Sequence, residues 1–347
     1  MFGLMKEKED AVKKSLSLFL VIALTCLAGA ACGGKKAASP QAGSATAEDL
    51  LSLFPKDTRG LLVVDVQKIM RTEAVAKAIK DNEKNEKYVK FVQDTGIDPQ
   101  KDIFFFAGAM TGDLSQKSPD GAALVNLKYD KTKLLESMKK ERGEFTTADY
   151  NGLTVYQFAG GEGEKPVSGI FLDESNILAG SDAAVKKMAD VHQKKAENVW
   201  KNAEMVSLLK GMNTSAMVWG GVALPPQTVE QATSQNPMLG AFSTIQSLLL
   251  SVDYKDETML MEIKAMSPDA EKNKNMADTL TGFKALGSGA AAKEPLVGQL
   301  LNNIEIVSAA DSVKLVVRIP SELMQSLSDK AKAKKTEPVP ETDTEKN

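Results

Sequence analysis

Apolar positions along the chain fall into short runs that repeat one order: strand, tight turn, strand, helix. The sharpest turn is Asn151-Gly152, set between the runs 145–150 and 153–158. Asn-Gly supplies the positive φ angles of a type I′ hairpin. Runs 167–173 and 176–180 then flank Glu174-Ser175 and lead into a helix opened by Ser181-Asp182, with Val185, Met188 and His192 on one face. Runs 245–254 and 258–266 flank Lys255-Asp256-Glu257 and lead to a helix with Met276, Leu280 and Phe283 in line, ending at Gly287. Runs 304–308 and 313–319 flank Ala310-Asp311 and lead through Pro320-Ser321 to a helix carrying Leu323, Met324 and Leu327. In the last strand Val313, Leu315, Val317 and Ile319 point one way and Lys314 and Arg318 the other, the period of a sheet with one wet face.

Earlier positions predict a buried strand over 61–66 and a helix with Val75 and Ile79 four apart. A second helix carries Tyr88, Phe91 and Val92 and stops at Gly96. Ile103-Phe104-Phe105-Phe106 shows no polar alternation, so both faces of that strand are expected to be covered. A strand over 121–129 and a helix over 131–140 with Leu134, Leu135 and Met138 inward complete this part. Tight turns force antiparallel pairing, and the helices must cover the apolar face. The predicted class is α+β: antiparallel sheets with helices packed on one face, in two related domains, 47–195 and 196–329.

Composition adds an address. Lys13-Lys14, an apolar stretch over 16–27 and the small residues Gly29, Ala30 and Ala31 precede Cys32. A spanning helix needs roughly 20 apolar residues, so the stretch is short for an anchor and has the layout of a secretory signal. The cysteine directly after the small residues resembles the lipobox of bacterial lipoproteins. That resemblance implies cleavage before Cys32, acylation of its thiol, and an outer-membrane address facing the periplasm, since Gly33 replaces the Asp that retains such proteins in the inner membrane. Residues 1–31 are then the signal, 32–46 a flexible Gly/Ala/Ser tether, and 330–347, polar and rich in Lys, Glu and Thr, a disordered tail. Net charge is −3, which offers nothing to nucleic acid. The 2 cysteines are Cys26, lost with the signal, and Cys32, so stability must come from core burial.

Phe54-Pro55-Lys56-Asp57-Thr58, the strand Val63-Val64-Asp65 and Gly96-Ile97-Asp98-Pro99 ending in Asp102-Ile103 look like the opening of a group of uncharacterised exported bacterial proteins. That resemblance implies an architecture and no site.

Candidate chemistry is sparse. His192 is the 1 histidine, so any Ser–His–Asp arrangement would have to use it, and it reads as a packing residue. Asp253, Asp256 and Glu257, and Asp173 with Glu174, sit in expected hairpin turns, where acids are ordinary. Asp98 and Asp102 lack the further oxygens of a calcium loop and read as an Asx turn and a strand start. The glycine-rich run 160–164 enters a hairpin and not a helix, so it cannot cradle phosphate, and Gly287-Ser288-Gly289 reads as a loop leaving a helix. The 15 methionines, Met259 and Met261 among them, fall at core spacing. No cofactor or metal is expected. Two functions stay open: a non-catalytic binding or scaffold lipoprotein contacting another envelope protein, and a carrier for an apolar ligand held between sheet and helices. A hydrolase with an unrecognised site is held behind them. A lined cavity of roughly 300–1,000 Å³ would favour the carrier, and a filled core with an exposed apolar patch the scaffold.

Overall fold

The computed structural model describes residues 43, 45–76, 86–112, 120–159, 166–234, 237–291 and 294–336. Cys32, the signal segment, Ile79 and the run 160–164 lie outside the described residues. The chain divides into two compact units, Met1–Ala223 and Leu224–Asn347.

The first unit contains, in order, α1 (Ala47–Leu51), β1 (Thr58–Asp65), α2 (Val66–Met70), α3 (Glu86–Thr95), α4 (Pro99–Asp102), β2 (Ile103–Thr111), β3 (Asp120–Leu127) and α5 (Lys131–Arg142). It continues with β4 (Thr146–Tyr150), β5 (Leu153–Phe158), β6 (Val167–Phe171), β7 (Asn176–Gly180), α6 (Asp182–His192), α7 (Ala203–Lys210) and β8 (Val218–Ala223). Its strands run β8-β1-β2-β3-β7-β6-β5-β4, each pair antiparallel. The β4–β5 hairpin turns on Asn151 and Gly152 at φ 57° and 84°, the left-handed values a type I′ turn requires. Gly96 ends α3 at φ 73°, and Ser181 caps α6 by accepting the Ala184 N–H.

Burial alternates along every central strand. On one face, here the inner face, Leu61, Val63, Ala107, Ala109, Ala122, Leu124, Leu178 and Ile170 are all buried. The amphipathic helix α6 lies on this face: Gln157 and Ser168, both inner-face residues, donate to Asp182 at 3.3 and 3.0 Å, and Tyr150 donates to Asp190 at 2.8 Å. Its Val185 and Met188 are fully buried. A second helical layer covers one end of the opposite face, where Phe91 of α3 and Leu134 of α5 pack with Val64, Phe106, Val125 and Ile177.

The second unit contains α8 (Pro226–Ser234), β9 (Ser247–Lys255), β10 (Thr258–Met266), α9 (Ala270–Ala290), α10 (Pro295–Asn302), β11 (Ile304–Ala309), β12 (Ser312–Pro320) and α11 (Ser321–Thr336). Its strands run β11-β12-β10-β9, again antiparallel. Asp256 and Glu257 turn the β9–β10 hairpin at φ 49° and 54°. Helices cover one face: Met276 of α9 packs with Ala265 and Val313, and Leu300 of α10 and Leu323 of α11 pack with Val317, Ile319, Met259 and Met261.

The α+β class is therefore as the pattern predicts, and three boundaries differ. The unit boundary falls at Ala223/Leu224 and not at 195/196. Residues 197–223 are tied to the start of β1: the Val199 N–H donates to Phe54 O at 2.7 Å, Asn202 Nδ2 donates to Lys56 O at 2.8 Å, and β8 pairs with β1. Helix α9 runs past Gly287 to Ala290, because Gly287 serves close helix packing: a Cβ there would lie 3.0 Å from Leu301 of α10. The tail expected to be disordered from residue 330 is helical to Thr336, since Ala and Lys are strong helix formers; 337–347 lie outside the described residues.

Candidate interaction surface

The outer face of the first sheet separates into two ends. One is sealed by α3 and α5, as above. The other presents Leu62 on β1, Gly108 and Met110 on β2, Gly121 and Ala123 on β3, Ala179 on β7, Gly169 on β6 and Val222 on β8. Registers place them side by side: Leu62 faces Gly108 and Gly220, Gly108 faces Ala123, Ala123 faces Ala179, and Ala179 faces Gly169. None of these positions carries a charge. Leu62 is 40% exposed and Met110 38%, whereas their inner-face neighbours Leu61 and Ala109 are buried. Small residues make the surface flat, and Gly60 lets the Met110 side chain lie across the sheet: a Cβ at Gly60 would be 2.6 Å from Met110 Cε and 3.3 Å from Val222 Cγ2. A solvated sheet face is normally laced with polar side chains. An uncharged, half-exposed one is the kind of patch that marks an interaction site.

The sequence-level candidates scatter elsewhere. His192 is the last residue of α6 and half-buried. Asp173 holds the β6–β7 turn, accepting the Ser175 N–H at 2.7 Å and Asn176 Nδ2 at 2.9 Å. Nearby, the Tyr129 hydroxyl donates to Asp173 O, and burial, reinforced by Asp173 and Glu174, pushes that phenol up to about 12. Asp256 and Glu257 occupy turn positions, and Asp253 lies on β9. Asp98 caps α4 by accepting the Gln100 N–H at 3.0 Å and also accepts from the Tyr88 hydroxyl at 2.9 Å. Asp102 accepts the Asp98 N–H at 2.8 Å, and burial holds its carboxyl above the usual carboxylate range. This pair does local structural work. Met259 and Met261 face the α10–α11 core. Among the described residues no group of three or more His, Cys, Asp or Glu side chains is placed to hold a metal ion.

A cleft of about 480 Å³ lies in the second unit, lined by Gln299, Asn302, Asn303, Pro320, Glu322, Leu323 and Ser326. Its size suits a small ligand, but amides, a carboxylate and a hydroxyl dominate its walls, so it does not match an apolar cargo. No described helix is long and apolar enough to cross a membrane.

The open face was hidden in the sequence for a definite reason. Leu61-Leu62-Val63-Val64 and Phe104-Phe105-Phe106 predict two covered faces. Pattern cannot say whether a helix of the same chain or another molecule supplies the cover.

No protein-family model and no curated protein matches the chain. Solved structures that resemble it include crystal form I of TP0453, at a TM-score of 0.44 and 11% identity over 81% of this chain and 96% of that chain. Crystal form III of TP0453 gives 0.44 and 13% identity over 81% and 97%.

Proposed function

We propose that this protein is a lipid-anchored lipoprotein of the bacterial envelope, held through Cys32 in the outer membrane and facing the periplasm. It acts as a non-catalytic binding module that docks another envelope protein on the open outer face of its first sheet. The observation that carries the reading is the flat, uncharged surface around Leu62 and Met110, beside an inner face that is already filled. The lipobox-like layout before Cys32 supplies the address, and a tether between lipid and fold supplies reach.

The test uses the full chain in its native envelope. Leu62→Asp with Met110→Glu places two carboxylates on the surface without touching the inner core. Cross-linking should recover a specific protein with the parent chain and lose it with the double variant, while circular dichroism stays unchanged. Retention of the same partner by a folded double variant would overturn the docking face. Mass spectrometry of the mature N-terminus should show an acylated residue 32, and an unmodified Cys32 would remove the lipoprotein address.

A further inference from the structure

Strand β11 is the outer edge of the second sheet, paired with β12 on one side. The Arg318 N–H donates to Asn303 O at 3.0 Å, which fixes the ladder's parity. Residues 305, 307 and 309 bond inward to β12, and the N–H and C=O groups of Ile304, Ile306 and Ser308 point outward. Lys284 Nζ donates to Ile304 O at 2.6 Å and closes that end of the edge. Among the described residues no such cap meets Ile306 or Ser308. Native sheets ordinarily blunt an edge with charge, proline or a bulge. Here Glu305 is the strand's one charge, and it is paired with Arg318 at 2.7 Å, while Val307 is 39% exposed.

We propose that β11 is a self-pairing edge, on which two copies of this chain join antiparallel about a two-fold axis through Val307. Parity allows an axis through Ile306, Val307 or Ser308, and only the axis through Val307 pairs both Ile306 and Ser308 within the strand while leaving Lys284 on Ile304. Ile306 of each copy exchanges both main-chain bonds with Ser308 of the other, using the outward groups and leaving Lys284 on Ile304. Val307 meets Val307 across a non-hydrogen-bonded site, and Glu305 faces Ala309, so no like charges are opposed. A second copy is the fitting occupant because in this register the free main-chain groups of Ile306 and Ser308 satisfy each other and the one charge, Glu305, meets the neutral Ala309. Six residues of edge give a contact below the ~1,200 Å² of a stable complex, so pairing is reversible and concentration-dependent. This inference goes beyond the binding face of the first unit and does not depend on it.

Cysteine scanning tests it in the full chain carrying Cys26→Ala and Cys32→Ala. Across a non-hydrogen-bonded pair the Cα atoms stand ~4.5 Å apart, within disulfide range. Two copies of residue 309 would stand ~13 Å apart, out of range. Under a mild oxidant Val307→Cys should form linked dimers about tenfold faster than Ala309→Cys. Sedimentation of the uncrosslinked parent should show dimer growing with concentration, and Val307→Lys should remain monomeric with unchanged circular dichroism. Equal rates at 307 and 309, fastest linkage at Ile306→Cys, or a parent that stays monomeric would each overturn the proposal, as would a foreign protein captured at 307 in place of a second copy.

Discussion

In the first unit the ladder row Val63, Ala107, Leu124, Leu178, Ile170 and Val155 crosses the sheet with no member more than 1% exposed. In the second unit the row Ile306, Leu315, Ile263 and Leu250 crosses β11, β12, β10 and β9, and every member is half-buried. Both rows lie on the helix-covered face. The outer faces differ in the opposite sense. The second sheet's outer face carries charge: Glu262 pairs with Lys314 at 3.4 Å and Glu305 with Arg318 at 2.7 Å, around the buried Val316. The first sheet's open end carries no charge. A filled inner face and an undressed outer face together point outward, to a partner.

The largest effect should come from emptying the filled row. Leu178→Ala removes a side chain with no exposure and should cost about 2–5 kcal/mol in urea unfolding. Leu315→Ala, half-exposed, should cost clearly less. Equal losses at the two positions would break the comparison.

A smaller effect sharpens it from the other side. Asn273 is fully buried in α9, and its Nδ2 donates to Ser267 O, Ala309 O and Ala310 O at 2.9, 3.2 and 3.1 Å. This amide ties the end of β10 to the β11–β12 turn. Asn273→Ala leaves those carbonyls without their donor and should cost about 1–3 kcal/mol, read by the same unfolding measurement. Asn273→Asp should not restore it, because a carboxylate cannot donate.

The smallest effects are pH-dependent and opposite in sign. Burial raises the Asp102 pKa, so its contribution to stability is present in acid and lost as the pH rises through the folded value. Asp102→Asn should therefore gain on the parent as the pH rises through the carboxylate range. Asp182 is lowered, first by the hydrogen bond from Lys186 at 2.7 Å. Its contribution is present above the unfolded pKa and lost as the pH falls through the folded one. Asp182→Asn should be the weaker protein near neutrality, by about 0–1 kcal/mol for so exposed a pair, and should lose that deficit in acid. Unfolding midpoints followed across the carboxylate range read both signs, and parallel curves for the two variants would refute the assignment.

Much of the fold was legible because its signals are local. Asn151-Gly152, Asp256-Glu257 and the Ser181 cap act within a few residues, and the structure has a hairpin or a helix start at each. Gly287 misled because glycine ends helices and also permits close packing, and only the nearby Leu301 distinguishes the two uses. The candidate surface was not legible in the same way. Leu62 and Met110 belong to strands that read as covered on both sides, and their exposure depends on where α3 and α5 stop.

What the sequence determined by itself was the class, the hairpins, the caps and the parity of the last strand, all set by neighbours within reach of one turn. What only the tertiary structure decided was which distant strands meet. Val63 of β1 lies between Ala107 of β2 and Trp219 of β8, the second more than a hundred positions away. No period or turn encodes that adjacency. It arises because two apolar strands bury each other's inner face, and the same choice moved the boundary of the first unit to Ala223 and left one end of its outer face open.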